Sequence, residues 1–308
     1  MFRQVDIALY ESKKFSGTHF QLFDKQMEVQ LFDRISLDKD MENGLERGEF
    51  VVYFQPQAYT KRMSVFGFEA LVRWKRKGAG IVPPDQFISA AETSGFIQKL
   101  DLYVLQKACE TAVGWAYDFK VSVNLSPLLF SNVNLPANIQ NIIKSTGIDP
   151  SRLTLEITET ALMSNREQTI VALNKLRELG LKIALDDFGT GYSSLSYLYE
   201  FPLDILKIDR AFVADLTENP TKQAIFKSIV ELGQKLNLFV IVEGIETEEQ
   251  RLEAARLGAD SIQGYLLSKP FPNEQMTEKL VELMRNTTRT AIGSDGAKPE
   301  NTEARATG

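Results

Sequence analysis

Eight polar or charged residues fall at or near the ends of apolar, β-branched runs: Glu69, Asn124, Glu156, Asp186 with Asp187, Lys207, Glu243 and Gln263. An acid at a strand end can cap a helix or face solvent, but runs such as LTLEIT and FVIVEGIE carry an acid within the run. A buried unpaired carboxylate is strongly disfavoured, so several that converge imply a compensating cation. One Cys and one His in 308 residues exclude an intrachain disulfide, cysteine-based zinc or iron–sulfur sites, and multi-histidine metal sites. Any metal must be held by oxygen donors, which points to hard cations such as magnesium or manganese. In Asp186-Asp187, strand alternation sends the two side chains to opposite faces. At a strand end both can still reach a metal cluster, where one carboxylate could bridge two ions about 3.5–4 Å apart, as in two-metal phosphoesterases.

Phe188-Gly189-Thr190-Gly191 follows that pair and reads as a mobile lid or switch loop. Lys207, between Leu206 and Ile208, is either a solvated edge residue or points inward to neutralise phosphate charge or orient an attacking water. Arg73 follows Glu69 by four residues and shares its face if the strand continues, where it could grip a phosphate. The competing reading is a surface Arg beside Trp74, Lys75 and Arg76. His19 lies outside the periodic region, and Cys109, on a helical stretch with Leu102, Leu105 and Val113, reads as a small core residue. One remote His cannot complete a Ser-His-Asp set.

The elements that must position these residues alternate in type. Candidate strands are 50–57, 64–74, 120–125, 153–158, 182–187, 205–209, 239–243 and 261–267. Between them lie helical stretches such as Thr221–Asn237 and Glu246–Leu257, the latter with Thr247 as N-cap and Gln250 three residues on. Such alternation argues for parallel strands joined by crossover helices, and eight units over roughly 240 residues match a (β/α)8 barrel. The first two strands are joined only through 58–63, too short for a crossover, so they are expected to be antiparallel neighbours. The expected fold class is α/β, a modified TIM-type (β/α)8 barrel with an antiparallel first strand; an open α/β sheet is the alternative. Strand ends of a barrel converge on the face where active sites lie.

Thirty-five basic against 41 acidic residues give a formal charge of −6, which argues against a nonspecific nucleic-acid binder. No run approaches the ~18 apolar residues of a membrane span, and residues 1–11 lack a signal-peptide layout. A cytoplasmic location is expected, either free or as the cytoplasmic part of a membrane-anchored longer protein. Residues 25–46 have apolar positions at helical spacing and read as a helix pair or linker helix. Residues 286–308 are poor in large apolar residues and read as a disordered tail.

The motifs together resemble the EAL-domain phosphodiesterases of bacterial cyclic di-GMP signalling. In order they are Gln55-Pro56, Glu69-Ala70-Leu71 with Val72-Arg73-Trp74, Asn124-Leu125-Ser126-Pro127, and Glu156-Ile157-Thr158-Glu159. There follow Asp186-Asp187-Phe188-Gly189-Thr190-Gly191, Leu206-Lys207-Ile208-Asp209, Val242-Glu243-Gly244-Ile245-Glu246, and Gln263-Gly264-Tyr265 with Pro270. They cover residues 47 to about 285, and the ordered set is highly specific. The resemblance implies the modified barrel and hydrolysis of one phosphodiester bond of cyclic di-GMP to linear pGpG with two Mg2+ or Mn2+. It implies one metal on Glu69, Asn124, Glu156 and Asp186, and a second on Asp186, Asp187 and Glu243. Lys207 would orient the attacking water, Glu159 would brace the lid loop, and Glu246 and Gln263 would support the site. Arg73 and Gln55 would contact ligand, with Pro270 also assigned to substrate binding. A homodimer through the lid-loop region is implied as well. Tyr103 stands where the family more often has Trp.

Residues 1–24 bear a weaker likeness to the end of a GGDEF (diguanylate cyclase) domain, through Asp6-Ile7-Ala8-Leu9-Tyr10, Lys13, Gly17 and Phe23, the alternative being an unrelated leader helix. The expected organisation is therefore a GGDEF-like remnant at 1–24, a linker helix at 25–46, the barrel at 47–285 and the tail, with an upstream GGDEF or sensor domain in a longer protein. Two other readings stay open. One is a catalytically inactive cyclic di-GMP receptor, although such receptors usually lack motif acids that are present here. The other is hydrolysis of a different phosphodiester by the same two-metal chemistry.

Overall fold

The structure, a computed structural model, describes residues 22, 24–164, 166–189 and 195–294. The expected GGDEF-like remnant, apart from Leu22 and Asp24, lies outside the described residues, as do Thr190, Gly191 and 295–308. The chain divides into two compact units, 1–51 with 72–104, and 52–71 with 105–308.

In the first unit a single helix, Lys25–Glu46, starts at Asp24, whose side chain accepts from the Gln26 N–H at 3.2 Å. One continuous helix thus stands where the sequence allowed a pair. Residues 74–76 pair antiparallel with the short strand Gly80–Val82. The ring of Phe50 stacks on Trp74 at 5.3 Å, and Phe87 meets both rings edge-on. The indole of Trp74 donates to Glu49 at 3.1 Å, as a buried Trp needs. Tyr103 donates its hydroxyl to the Phe50 carbonyl at 3.2 Å.

The second unit is built on a closed barrel of eight strands. In chain order the strands of the molecule are β1 (Phe50–Tyr59), β2 (Val65–Arg76), β3 (Gly80–Val82), β4 (Lys120–Leu125), β5 (Leu153–Thr158), β6 (Lys182–Phe188), β7 (Ile205–Ile208), β8 (Phe239–Val242), β9 (Ser261–Gln263) and β10 (Phe271–Pro272). The barrel order is β1-β9-β8-β7-β6-β5-β4-β2, closed by pairing of β1 with β2. All ladders from β2 to β9 are parallel, whereas β1 runs antiparallel to β9, with Gln57 opposite Gln263. The antiparallel first strand follows from the turn after Tyr59, where the Met63 N–H donates to the Tyr59 carbonyl at 2.8 Å. The open-sheet alternative is overturned by the closing pair. The two short strands β3 and β10 carry no marked sequence pattern and were not expected.

Crossover helices cover the parallel strands. Helix Pro220–Lys235 buries Phe226 and Val230 against Val240, Val242 and Ile262. Helix Glu248–Arg256 opens with a full capping box between Thr247 and Gln250, as the spacing predicts. The last helix, Met276–Ser294, runs past residue 285, so 286–294 are helical where the sequence composition suggested a tail. The buried apolar side chains Met276, Leu280 and Leu283 that anchor this helix all precede that point, and 286–294 continue its turns although Asn, Thr and Gly there are weak helix formers.

Cys109 is fully buried, and burial first, with the charge of Glu110 adding, pushes its thiol up to about 12. The thiolate is the reactive form, so Cys109 is expected to resist iodoacetamide at pH 8 in the folded protein and to label readily in urea. Rapid labelling of the native protein, read by mass spectrometry, would contradict this placement.

Candidate metal-binding active site

The polar residues collect at the carboxyl-terminal ends of the parallel strands. Register explains how. Asn124 on β4 lies opposite Glu156 on β5, and Thr158 opposite Asp186 on β6. Lys207 is near the end of β7, Glu243 directly follows β8, and Gln263 ends β9. Alternation along each short strand then turns these side chains to the same interior side.

At the centre is Lys207, fully buried. Its ammonium lies 2.5 Å from Glu156, 2.6 Å from Glu243, 3.1 Å from Asp186 and 3.6 Å from Glu69. The edge-residue reading of Lys207 is thereby excluded. Burial alone would pull the lysine down, but Asp186, Glu156, Glu243 and Glu69 outweigh it and hold the group well above the ordinary lysine range. Four acids facing one ammonium leave a deficit of 4 − 1 = 3 positive charges when all are ionised. The carboxyls show that deficit. Burial pushes Glu156 well above the usual range despite Lys207, with Glu69 and Asp186 adding to the rise. Burial, with Asp186 and Glu69 in support, raises Glu243 to about 8. Asp187 is raised by burial and then by Asp186 and Asp209.

Two groupings offer carboxylate oxygens within 4.8 Å of one another, Glu69 with Glu156 and Asp186, and Asp186 with Asp187 and Glu243. Asp186 belongs to both. Glu156 Oε1 is buried with no hydrogen-bond partner. An orphaned carboxylate oxygen among like charges is costly, and a cation would satisfy it, so this donor set fits a hard metal ion. Asn124 donates its amide to Glu69 at 2.6 Å, which leaves its oxygen as the donor that a cation could use.

The Asp pair is brought together by a departure from regular strand. The ladder between β6 and β7 shifts register between Leu185 and Phe188. Asp187 sits at φ 53°, in the left-handed region, and its N–H bonds Asp186 Oδ1 at 2.9 Å. This bulge re-aims Asp187 toward the side of Asp186, which strict alternation would forbid. Immediately after it, the Gly189 N–H donates to Glu159 at 3.0 Å, tying the backbone after the Asp pair to the helix Glu159–Ser164. Phe188 is buried beside this tie.

On the antiparallel side, Gln263 donates to Gln55 at 3.2 Å and also to Glu69. Gln57 in turn donates to Gln263 Oε1 at 2.9 Å. Gln57 was not among the residues singled out from the sequence, yet it shares the face of Gln55 two residues earlier, and that spacing could have found it. Gly264 lets the backbone of Ile245 approach, since a Cβ there would lie 2.0 Å from the Ile245 carbonyl oxygen.

These residues open into a cleft of about 280 Å³ lined by Gln55, Glu69, Asp186, Glu243, Glu246 and Gln263, with Arg210, Gly244 and Tyr265 among its other walls. Tyr265 closes the Gln263-Gly264-Tyr265 motif, whereas Arg210, one residue past Leu206-Lys207-Ile208-Asp209, was not singled out from the sequence. Pro270 is not among the lining residues. Arg73 belongs to the first unit, where its guanidinium donates to the Val72 carbonyl at 2.8 Å.

A closed mixed barrel with a carboxylate-rich, cation-seeking mouth is the architecture of a metal-dependent hydrolase. The EAL domain family matches residues 38–270, and the chain belongs to that family. It is 37% identical over 275 residues to the bifunctional diguanylate cyclase/cyclic di-GMP phosphodiesterase MucR of Pseudomonas aeruginosa, covering 88% of this chain and 40% of MucR. It is 34% identical over 275 residues to the cyclic di-GMP phosphodiesterase PdeR of Escherichia coli, covering 88% of this chain and 42% of PdeR. The solved structure of the PaMucR phosphodiesterase in complex with c-di-GMP superposes with a TM-score of 0.74 at 39% identity, covering 78% of this chain and 99% of that one. The chain thus spans well under half the length of these two curated relatives. No helix among the described residues is long and apolar enough to cross a membrane.

Proposed function

We propose that this chain hydrolyses one phosphodiester bond of cyclic di-GMP to linear pGpG, using two Mg2+ or Mn2+ ions. The observation that carries this reading is the pair of carboxylate groupings that share Asp186 beside the orphaned Glu156 oxygen. The named activity of PdeR and the ligand of the PaMucR complex support the choice of substrate. Glu69, Asn124, Glu156 and Asp186 would hold one ion, and Asp186, Asp187 and Glu243 the other. When bound, such ions supply a nucleophile at neutral pH and offset charge on the phosphate. Lys207 fixes Glu156, Asp186 and Glu243 through short ion pairs, so the ligand oxygens are held before substrate arrives. Gln263, braced by Gln57, orients Glu69 and Gln55. Glu159 anchors the backbone after the Asp pair at Gly189. A homodimer through the region after Asp187, an upstream GGDEF or sensor domain, and a cytoplasmic setting belong to this proposal through the family likeness alone.

The test is chromatographic detection of pGpG from cyclic di-GMP with magnesium, with chelator, and with Glu69→Ala. Product only with metal and intact Glu69 is expected. Tight binding of cyclic di-GMP without turnover in the presence of magnesium or manganese would replace the enzyme reading with the receptor reading.

A further inference from the structure

The cleft wall is rich in acid: Glu69, Asp186, Glu243 and Glu246 all line it. Its proposed substrate is itself anionic, with two phosphates. Lys207 cannot answer that charge, because it is fully buried and its ammonium is shared among four carboxylates. Among the residues lining the cleft, Arg210 alone is cationic, and it is exposed. Among the described residues no carboxylate forms an ion pair with it.

Its position is built rather than incidental. Asp209 caps the turn Arg210–Phe212 by accepting the Ala211 N–H at 2.9 Å, and the Arg210 carbonyl accepts from Val213 at 3.0 Å. The Glu243 N–H donates to the Ile208 carbonyl at 3.0 Å, which sets the residues after β7 beside those after β8. Gly244 completes the fit. It sits at φ +69°, and a Cβ there would come within 2.3 Å of Arg210 Cβ and 3.1 Å of its Cα. The absent side chain leaves room for the arginine stem to lie against the backbone directly after Glu243. A guanidinium with its carbon stem fixed and its donors uncommitted is suited to bidentate contact with a phosphate.

We propose that Arg210 is a substrate-binding residue that contacts a phosphate of the bound cyclic dinucleotide, an inference that rests on the phosphodiesterase reading of this cleft. Arg210→Gln and Arg210→Lys test it in the whole chain. Arg210→Gln is expected to lower kcat/KM roughly 10- to 100-fold, mostly through KM, because a charge-assisted hydrogen bond is lost. Arg210→Lys should recover part of that loss. The salt dependence of KM should flatten in Arg210→Gln, while the melting temperature and its response to magnesium stay those of the wild type. Unchanged kcat/KM, or a loss matched by a fall in melting temperature or in magnesium response, overturns the inference. If the wild-type chain shows no turnover, the phosphodiesterase reading fails on its own. Calorimetric binding of cyclic di-GMP with magnesium then decides Arg210 separately: weaker binding in Arg210→Gln upholds the contact, and equal or absent binding in both proteins refutes it.

Discussion

Asp186→Ala is expected to lower hydrolysis of cyclic di-GMP by roughly 10³-fold or more while leaving the fold intact. Metal assistance contributes several kcal/mol to such reactions, and about 4 kcal/mol corresponds to three orders of magnitude. Asp186 is the one residue common to both carboxylate groupings, so its loss removes a ligand from each. The stability expectation runs the other way. In the metal-free protein Asp186 raises the neighbouring Glu156 and Glu243, and removing one of four acids around Lys207 reduces like-charge repulsion. Among the described residues, the loss of Asp186 forfeits the ion pair to Lys207 and the hydrogen bond that accepts the Asp187 N–H. The metal-free variant should therefore melt no lower than wild type, and the rise in melting temperature on adding magnesium should vanish. Asp187→Ala, which touches one grouping only, should fall between wild type and Asp186→Ala. Wild-type turnover in Asp186→Ala would refute the shared-ligand arrangement.

Much of this site was legible because short parallel strands leave few choices. Once β-branched runs alternate with helices, the residues near their ends must converge, and Glu69, Glu156, Asp186 and Glu243 do so. The short 58–63 connection fixed the direction of the first strand for the same kind of reason, since a crossover could not be accommodated. Three features were not encoded locally because they depend on tertiary context. Asp187 was placed in the cluster from its strand-end position, but the bulge and the left-handed backbone that bring it there are not given by alternation. The environment of Lys207 could not be chosen between edge and interior, because one lysine in an apolar run is compatible with both; its four partners come from four different strands or strand ends. The division that groups 72–104 with the N-terminal segment depends on long-range contacts that no local pattern encodes.

Lys207→Met is expected to be the most destabilising single substitution in the barrel mouth. Removing one partner of a buried ion pair typically costs about 3–5 kcal/mol, because the other charge is left uncompensated. Here four carboxylates lose their common counter-charge, and Glu156 Oε1 already lacks a partner. Methionine matches the stem in volume, so the loss would report charge rather than a cavity. The sign of the pH effect follows from Glu243. Its carboxyl is raised from 4.5 to about 8 in the folded protein, so between those values the native state holds a proton that the unfolded chain releases. The metal-free wild type therefore loses stability as pH rises across that window. Without Lys207 the opposing pull on Glu156 and Glu243 disappears, so both rise further and the loss should steepen. Urea melts of Lys207→Met with chelator at pH 5 and pH 8 should show the deficit growing with pH. Magnesium should return part of it by supplying positive charge to the same oxygens. A variant as stable as wild type at pH 8 without metal would mean that Lys207 does not carry the charge balance of the mouth.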